Sequence, residues 1–247
     1  PKLLSRDVKF HDITYKLYYL VLREGTGKSP SNVDAVLTGY KGDYLSRQKV
    51  AEVETLTATF FEESKNPQQF FSLFTNLDVP LRAWSQIFPL FKTGTYESNV
   101  DGTVSYNDFG AGVIFIPSGL GYYSSGSNSI PAYAPLIFSF KLFEINRLDS
   151  DGDGIMNFQE DLDGDGYVYD YRNKTNYPTT PTTNLDDTDG DGIPNFLDTD
   201  DDGDGVSTKK EITDAAGKII PFASIPSCDG NTTDPARVKK HLDKNCQ

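Results

Sequence analysis

Between residues 149 and 205 the chain spells Asp-x-Asp-Gly-Asp-Gly four times, starting at Asp149, Asp161, Asp187 and Asp200. Such a stretch has few apolar side chains to bury, so it is not expected to build a conventional core. It has many carboxylates at fixed spacing. Calcium takes six to eight oxygens, and a 12-residue loop supplies them from positions 1, 3, 5, 7, 9 and 12, with glycine at position 6 for the turn. The first unit fits at every position: Asp149, Asp151, Asp153, the Ile155 carbonyl, Asn157 and Glu160, with Gly154 at the turn. The fourth fits equally, with Asp200, Asp202, Asp204, the Val206 carbonyl, Thr208, Glu211 and Gly205. The third offers Asp187, Asp189, Asp191, the Ile193 carbonyl, Asn195 and Asp198. The second offers Asp161, Asp163, Asp165 and the Tyr167 carbonyl but has Arg172 at position 12, so it is incomplete unless a neighbour lends a ligand.

Starts 12 and 13 residues apart pair the units two by two, and 173–184, rich in proline and threonine, separates the pairs as an extended spacer. An acidic disordered linker is the simplest alternative reading, and four matches in register argue against it. An EF-hand is also disfavoured, because one loop runs directly into the next with no helix before it. The run over about 149–211 resembles thrombospondin type 3 repeats, which implies calcium ions wrapped by the chain in place of an apolar core.

Charge divides the protein at the same place. Of 36 acidic and 23 basic side chains, 14 of each lie in residues 1–147, so the whole net charge of −13 belongs to 148–247. This balance disfavours nucleic acid, whose phosphates the tail would repel. No apolar run reaches the roughly 20 residues of a membrane span. The two cysteines, Cys228 and Cys246, stand 18 apart; a disulfide, two free thiols and metal ligation are all compatible with that spacing. The chain begins at Pro1, and a targeting segment or lipid anchor upstream of it is compatible with this start.

Residues 1–147 read as strands and turns. Strands are expected at 13–22, 33–42, 59–62, 70–74, 112–116 and 136–145, from runs of β-branched and aromatic residues bounded by turn sequences. One helix is expected at 80–88. Asp78 and Pro80 suit its start, Leu81, Trp84 and Phe88 share a face, and Pro89 stops it.

Ile116-Pro-Ser-Gly-Leu-Gly-Tyr122, followed by Ser129-Ile-Pro131 and Leu136-Ile-Phe138, resembles the closing motif of FKBP-type peptidyl-prolyl isomerases. Pro80-Leu-Arg-Ala-Trp84 is similar to the family's Val-Ile-x-Gly-Trp helix start, and Phe61-Glu-Glu-Ser64 to its Phe-Asp-Ser-Ser strand. Tyr40-x-Gly42 matches a further strand end, so the likeness spans about 13–147. It implies an α+β fold, an antiparallel FKBP-like half-barrel around a short helix, joined to a calcium-stabilised, loop-rich C-terminal region (148–247). It also implies prolyl isomerase activity on proline-containing polypeptides, in a pocket of Tyr40, Phe61, Glu62, Phe71, Pro80, Leu81, Trp84, Tyr122, Ile130 and Phe138 with Trp84 as floor. The Tyr122 hydroxyl and the Leu81 backbone N–H would hold substrate carbonyls.

The chain departs from the pattern in having Glu62 for aspartate, Pro80 for valine and Ala132 for a second proline, with loops lengthened by insertions at about 43–58 and 95–110. A non-catalytic proline-binding module on a calcium-stiffened stalk is therefore the alternative. A hydrolase is disfavoured, since His11 and His241 lie outside these motifs and are expected at the surface. Calcium sites and a disulfide together favour an exported protein, periplasmic or at the cell surface, an outer-membrane lipoprotein among the options.

Overall fold

Strand-forming residues that alternate inward and outward account for most of the N-terminal half of the computed structural model. The structure describes residues 1–50, 52–74 and 79–246, with the backbone alone at Val50, Val79, Pro80 and Leu81. The chain divides into two compact units, Pro1–Asn146 and Arg147–Gln247.

In the first unit β1 (Leu3–Phe10), β2 (Ile13–Arg23), β3 (Ala35–Val50), β4 (Val53–Ser64), β8 (Gly110–Ile116) and β9 (Leu136–Asn146) form one sheet in the order β1-β2-β8-β9-β3-β4, with β5 (Phe71–Ser72) beside the start of β3. Every pairing in it is antiparallel. Leu136, Phe138, Phe140 and Leu142 of β9 and Ile114 and Ile116 of β8 point inward at period two. Helix α1 (Val79–Ile87) lays Ala83, Trp84 and Ile87 on that face, and a 3₁₀ turn at Phe88–Leu90, with Pro89 in it, ends the helix. The unit is thus mostly antiparallel sheet with few helices.

Both regions read from sequence as lengthened loops are hairpins instead. Residues 43–58 extend β3 and β4 well beyond Gly42, pairing Tyr44 with Thr59 and Lys49 with Glu54. Residues 95–110 contain β6 (Thr95–Ser98) paired with β7 (Val104–Asn107). The N-terminal β1 is a further strand, outside those expected from the sequence. Asp78, expected near the helix start, lies outside the described residues.

The second unit has short 3₁₀ turns at Asn157–Gln159 and Asn195–Leu197 and a one-turn helix, α2 (Thr208–Glu211). Each lies in the last positions of a 12-residue Asp-Gly loop, and the turns at 157–159 and 195–197 run directly into the next loop, at Asp161 and Asp200. The unit has a small apolar cluster after all: Ile155, Ile212 and Ile225 are buried together, with Ile219, Ile220 and Phe222 against them. Cys228 and Cys246 are bonded, their Cα atoms 5.3 Å apart. His241, expected at the surface, is only 2 % exposed, while His11 sits in the exposed β1–β2 turn.

Candidate functional site

Helix α1 packs Trp84 against the buried face of the sheet, where the residue is only 2 % exposed. Four aromatic rings surround it: Tyr40 at 5.0 Å, Phe138 at 5.0 Å, Phe71 at 5.2 Å and Phe88 at 5.5 Å between centroids, all but Phe71 edge-on. Edge-to-face packing suits the ring quadrupoles and fixes the floor. Phe61 stands edge-on to Phe138 at 5.6 Å. Tyr40, Phe61, Phe71 and Tyr122 are half-buried against the core, and Ile130 and Phe138 are buried in it. The structure therefore gathers an aromatic cup with a closed floor and a partly open rim. Pro80 and Leu81 belong to the first turn of α1; their side chains lie outside the described ones. Amides in a first helical turn have no carbonyl four residues back to bond, which leaves the Leu81 N–H available in principle.

A register shift between Gly42 and Asp43, opposite Phe61, sits at the rim of this cup. Bulges of this kind re-aim a side chain. Here Phe60 is exposed and Phe61 half-buried. Glu62 is exposed and accepts a 2.5 Å hydrogen bond from the Tyr40 hydroxyl. Burial and then this carboxylate hold the Tyr40 phenol well above its usual range, so it stays a donor.

In the second unit the four Asp-Gly loops share one hydrogen-bond pattern. The position-1 aspartate accepts backbone N–H groups from the turn: Asp149 from Gly152 and Gly154, Asp161 from Gly164 and Gly166, Asp187 from Gly190 and Gly192, and Asp200 from Gly205. Those glycines have φ between 71° and 108°, where a Cβ would be strained. At positions 3 and 5 one oxygen accepts the N–H two residues on, as in Asp151 from Asp153 at 3.2 Å and Asp153 from Ile155 at 2.6 Å. Asp163, Asp165, Asp189, Asp191, Asp202 and Asp204 repeat this. The second oxygen of Asp151, Asp153, Asp202 and Asp204 is buried with no hydrogen-bond partner. The expected carboxylates converge as Asp149/Asp151/Asp153, Asp187/Asp189/Asp191 and Asp200/Asp202/Asp204, with oxygens within 4.8 Å of one another.

Position 9 serves the loop itself. Asn157 Oδ1 accepts the Ser150 N–H at 2.8 Å, Asn195 Oδ1 the Thr188 N–H at 3.0 Å and Thr208 Oγ1 the Asp201 N–H at 3.1 Å. Of the position-7 residues whose carbonyls were expected as ligands, Ile155 and Tyr167 are buried and Ile193 and Val206 half-buried. Asp198 accepts the Asp200 N–H at 3.0 Å and is not gathered with its loop's three aspartates. Glu211 keeps one buried oxygen without a partner, and burial followed by Asp202 pushes its carboxyl up to about 8.

Two aspartates that the register excluded complete the picture. Arg172, standing where the second loop needs a carboxylate, pairs with Asp170 at 2.8 Å. Asp186 joins Asp161 and Asp163 in its place, and also accepts the Leu162 N–H at 2.9 Å. Burial raises the Asp186 carboxyl to about 7. Asp201 joins Asp153 and Glu160. The sequence signal was the doubled Asp186-Asp187 and the tripled Asp200-Asp201-Asp202, each adding a carboxylate outside positions 1, 3 and 5.

Residues 150–235 match a family model described as BamM C-terminal. No curated protein matches the chain. Similar solved structures include a peptidyl-prolyl cis-trans isomerase from Pseudomonas syringae pv. tomato str. DC3000 (20 % identity, 53 % of this chain and 76 % of that one, TM-score 0.37). FkpA from Escherichia coli is similar at 22 % identity, with 53 % of this chain, 48 % of FkpA and a TM-score of 0.36. The matched part thus spans about half the length of FkpA.

Proposed function

We propose that the first unit is a peptidyl-prolyl cis-trans isomerase of the FKBP type, and that the second binds calcium ions that hold it folded. The observation that carries the first half is the Trp84 floor ringed by Tyr40, Phe71 and Phe138 at 5.0–5.2 Å, open at a rim of half-buried aromatics. Rotation about an X-Pro bond is opposed by amide resonance, with a barrier of roughly 18–20 kcal/mol for peptide bonds. The twisted amide has lost that resonance and is less polar than the planar one, so a dry aromatic cup favours the twist over the ground state. This is differential binding, needing neither a nucleophile nor an acid–base pair. The Tyr122 hydroxyl and the Leu81 N–H would fix the carbonyls on either side of the proline.

The calcium half is supported by the buried carboxylate oxygens that no hydrogen bond serves. Uncompensated buried charge is costly, and hard oxygens in loops of this spacing are what calcium takes. The ligands would be the position 1, 3 and 5 aspartates of each loop, with Glu160, Asp186 and Glu211 adding carboxylates. Bound calcium would neutralise them and stabilise the folded loops. Millimolar calcium and a lasting disulfide belong outside the cytoplasm, so we place the protein in the cell envelope or exterior. The BamM C-terminal match is consistent with that setting.

The test is a proline-limited peptide isomerisation assay on the wild type, Tyr122→Phe and Trp84→Leu, with folding checked by circular dichroism. Tyr122→Phe should cost about 1 kcal/mol of transition-state binding, a several-fold drop in kcat/KM, at unchanged stability. Trp84→Leu should cost more. A folded wild type that binds proline peptides without accelerating them would overturn the enzyme and leave a proline-binding module.

A further inference from the structure

The first and fourth loops come together within the second unit. Lys209 Nζ, at position 10 of the fourth loop, donates to the Gly152 carbonyl of the first at 2.8 Å, and Ile155 and Ile212 share one apolar cluster. Between these loops lie Asp153, Glu160 and Asp201, with carboxylate oxygens within 4.8 Å of one another. Asp201 occupies position 2 of its own loop. Its N–H is held by Thr208, and its carboxylate groups with Asp153 and Glu160 rather than with Asp200, Asp202 and Asp204.

Glu160 is 3 % exposed and Asp201 1 % exposed, and both oxygens of each are buried with no hydrogen-bond partner. Among the described residues no lysine or arginine forms an ion pair with any of the three. Burying two such groups unsatisfied is a cost no ordinary fold carries. Burial, then the neighbouring Asp151 and Asp153 respectively, pushes the Glu160 carboxyl up to about 10 and the Asp201 carboxyl to about 9.

We propose that Asp153, Glu160 and Asp201 form an additional divalent-cation site, distinct from the loop sites, that fastens the first loop to the fourth. The inference rests on the calcium reading above and extends it. Asp149, Asp151, Asp153, Glu160 and Asp201 are five neighbouring carboxylates, of which one divalent ion offsets only two charges. Two ions sharing Asp153 and Glu160 offset four. Calcium suits the site better than magnesium: its oxygens stand 2.3–2.6 Å away, so opposed ligands approach ~5 Å apart, and magnesium keeps its own waters. The consequence is mechanical as well as local, since residues 48 apart in sequence, at 153 and 201, are tied by one ion and the spacer between them is closed into a loop.

The test uses the full chain, stripped of metal and then loaded with calcium, with ions counted by native mass spectrometry and melting followed in calcium and in EDTA. Asp201→Asn keeps the side chain's shape and the backbone N–H bond to Thr208 Oγ1. It should hold one ion fewer per chain than the wild type and melt lower in calcium. In EDTA it should melt no lower, because the carboxyl it replaces is buried there with no hydrogen-bond partner to lose. If that variant misfolds in calcium, Asp201→Ser must show the same loss of one ion. An unchanged ion count, or an equal fall in melting with and without calcium, overturns the cross-loop site while the loop sites stand. A wild type that holds no calcium overturns the calcium reading itself.

Discussion

Gly42 shows how narrowly the cup is built. A Cβ there would lie 2.5 Å from Phe61 Cζ and 2.8 Å from Phe138 Cε1, so any side chain would push the two rim aromatics apart. Gly42→Ala should cost about 1–3 kcal/mol by overpacking and weaken proline-peptide binding, both measurable by urea unfolding and titration. Unchanged affinity would separate the rim from the ligand. The sequence made this glycine visible as the end of Tyr40-x-Gly42, but not its reason, which is contact between rings on different strands. Trp84 was legible because helical spacing puts it on one face with Phe88. His241 was not: the segment around it has no periodicity, and its burial comes from the surrounding C-terminal turns. Asp186 and Asp201 escaped because a register read along one loop cannot see a carboxylate offered by another.

At the scale of elements, strands with continuous apolar runs were legible and hairpins with mixed surfaces were not. The turn joining β1 to β2 is His11-Asp12, both at positive φ (52° and 58°), where Asn-Gly is the usual signal. Without that signal, β1's alternation with Arg6, Asp7 and Lys9 looks like a polar leader. Replacing His11-Asp12 by Asn-Gly should relieve strain of roughly 1 kcal/mol and raise the urea midpoint of the first unit. No change would mean that the wild-type turn is held by its surroundings. The distal β3–β4 hairpin was hidden for a related reason. Beyond Tyr44, β3 pairs with β4 alone, so Val53 and Leu56 stay exposed and no burial pattern marks the strand. Removing residues 46–57 and joining the ends with a two-residue turn should leave the aromatic cup and its isomerase rate intact.

On the scale of the whole molecule, the two units hold themselves together by different means, and their responses to calcium and pH should separate. The core of the first, from Val8 to Leu142, lies wholly within 1–146, so a fragment of that length should fold and melt as the first transition of the full chain does. The second unit, without calcium, carries carboxyls whose folded pKa lies above the ordinary value: Asp151 and Asp186 at about 7, Glu211 at about 8, Asp201 at about 9 and Glu160 at about 10. A carboxyl raised in the fold binds its proton more tightly there than in the unfolded chain. Its stabilising contribution is complete below about pH 4, the unfolded value, and is lost as pH rises through the folded one. His241, pushed down to about 3 by burial, acts oppositely but only below its unfolded value near 6.5. Between pH 7 and 9 the carboxyls alone decide the sign. In EDTA the second transition should therefore fall as pH rises from 7 to 9, while the first stays put. In saturating calcium the ions hold the same groups ionised, and the fall should vanish or reverse. Scanning calorimetry of the full chain at both pH values, with EDTA and with calcium, measures this directly. A second transition that moved identically under the two conditions would show that these carboxylates are not held by the ion.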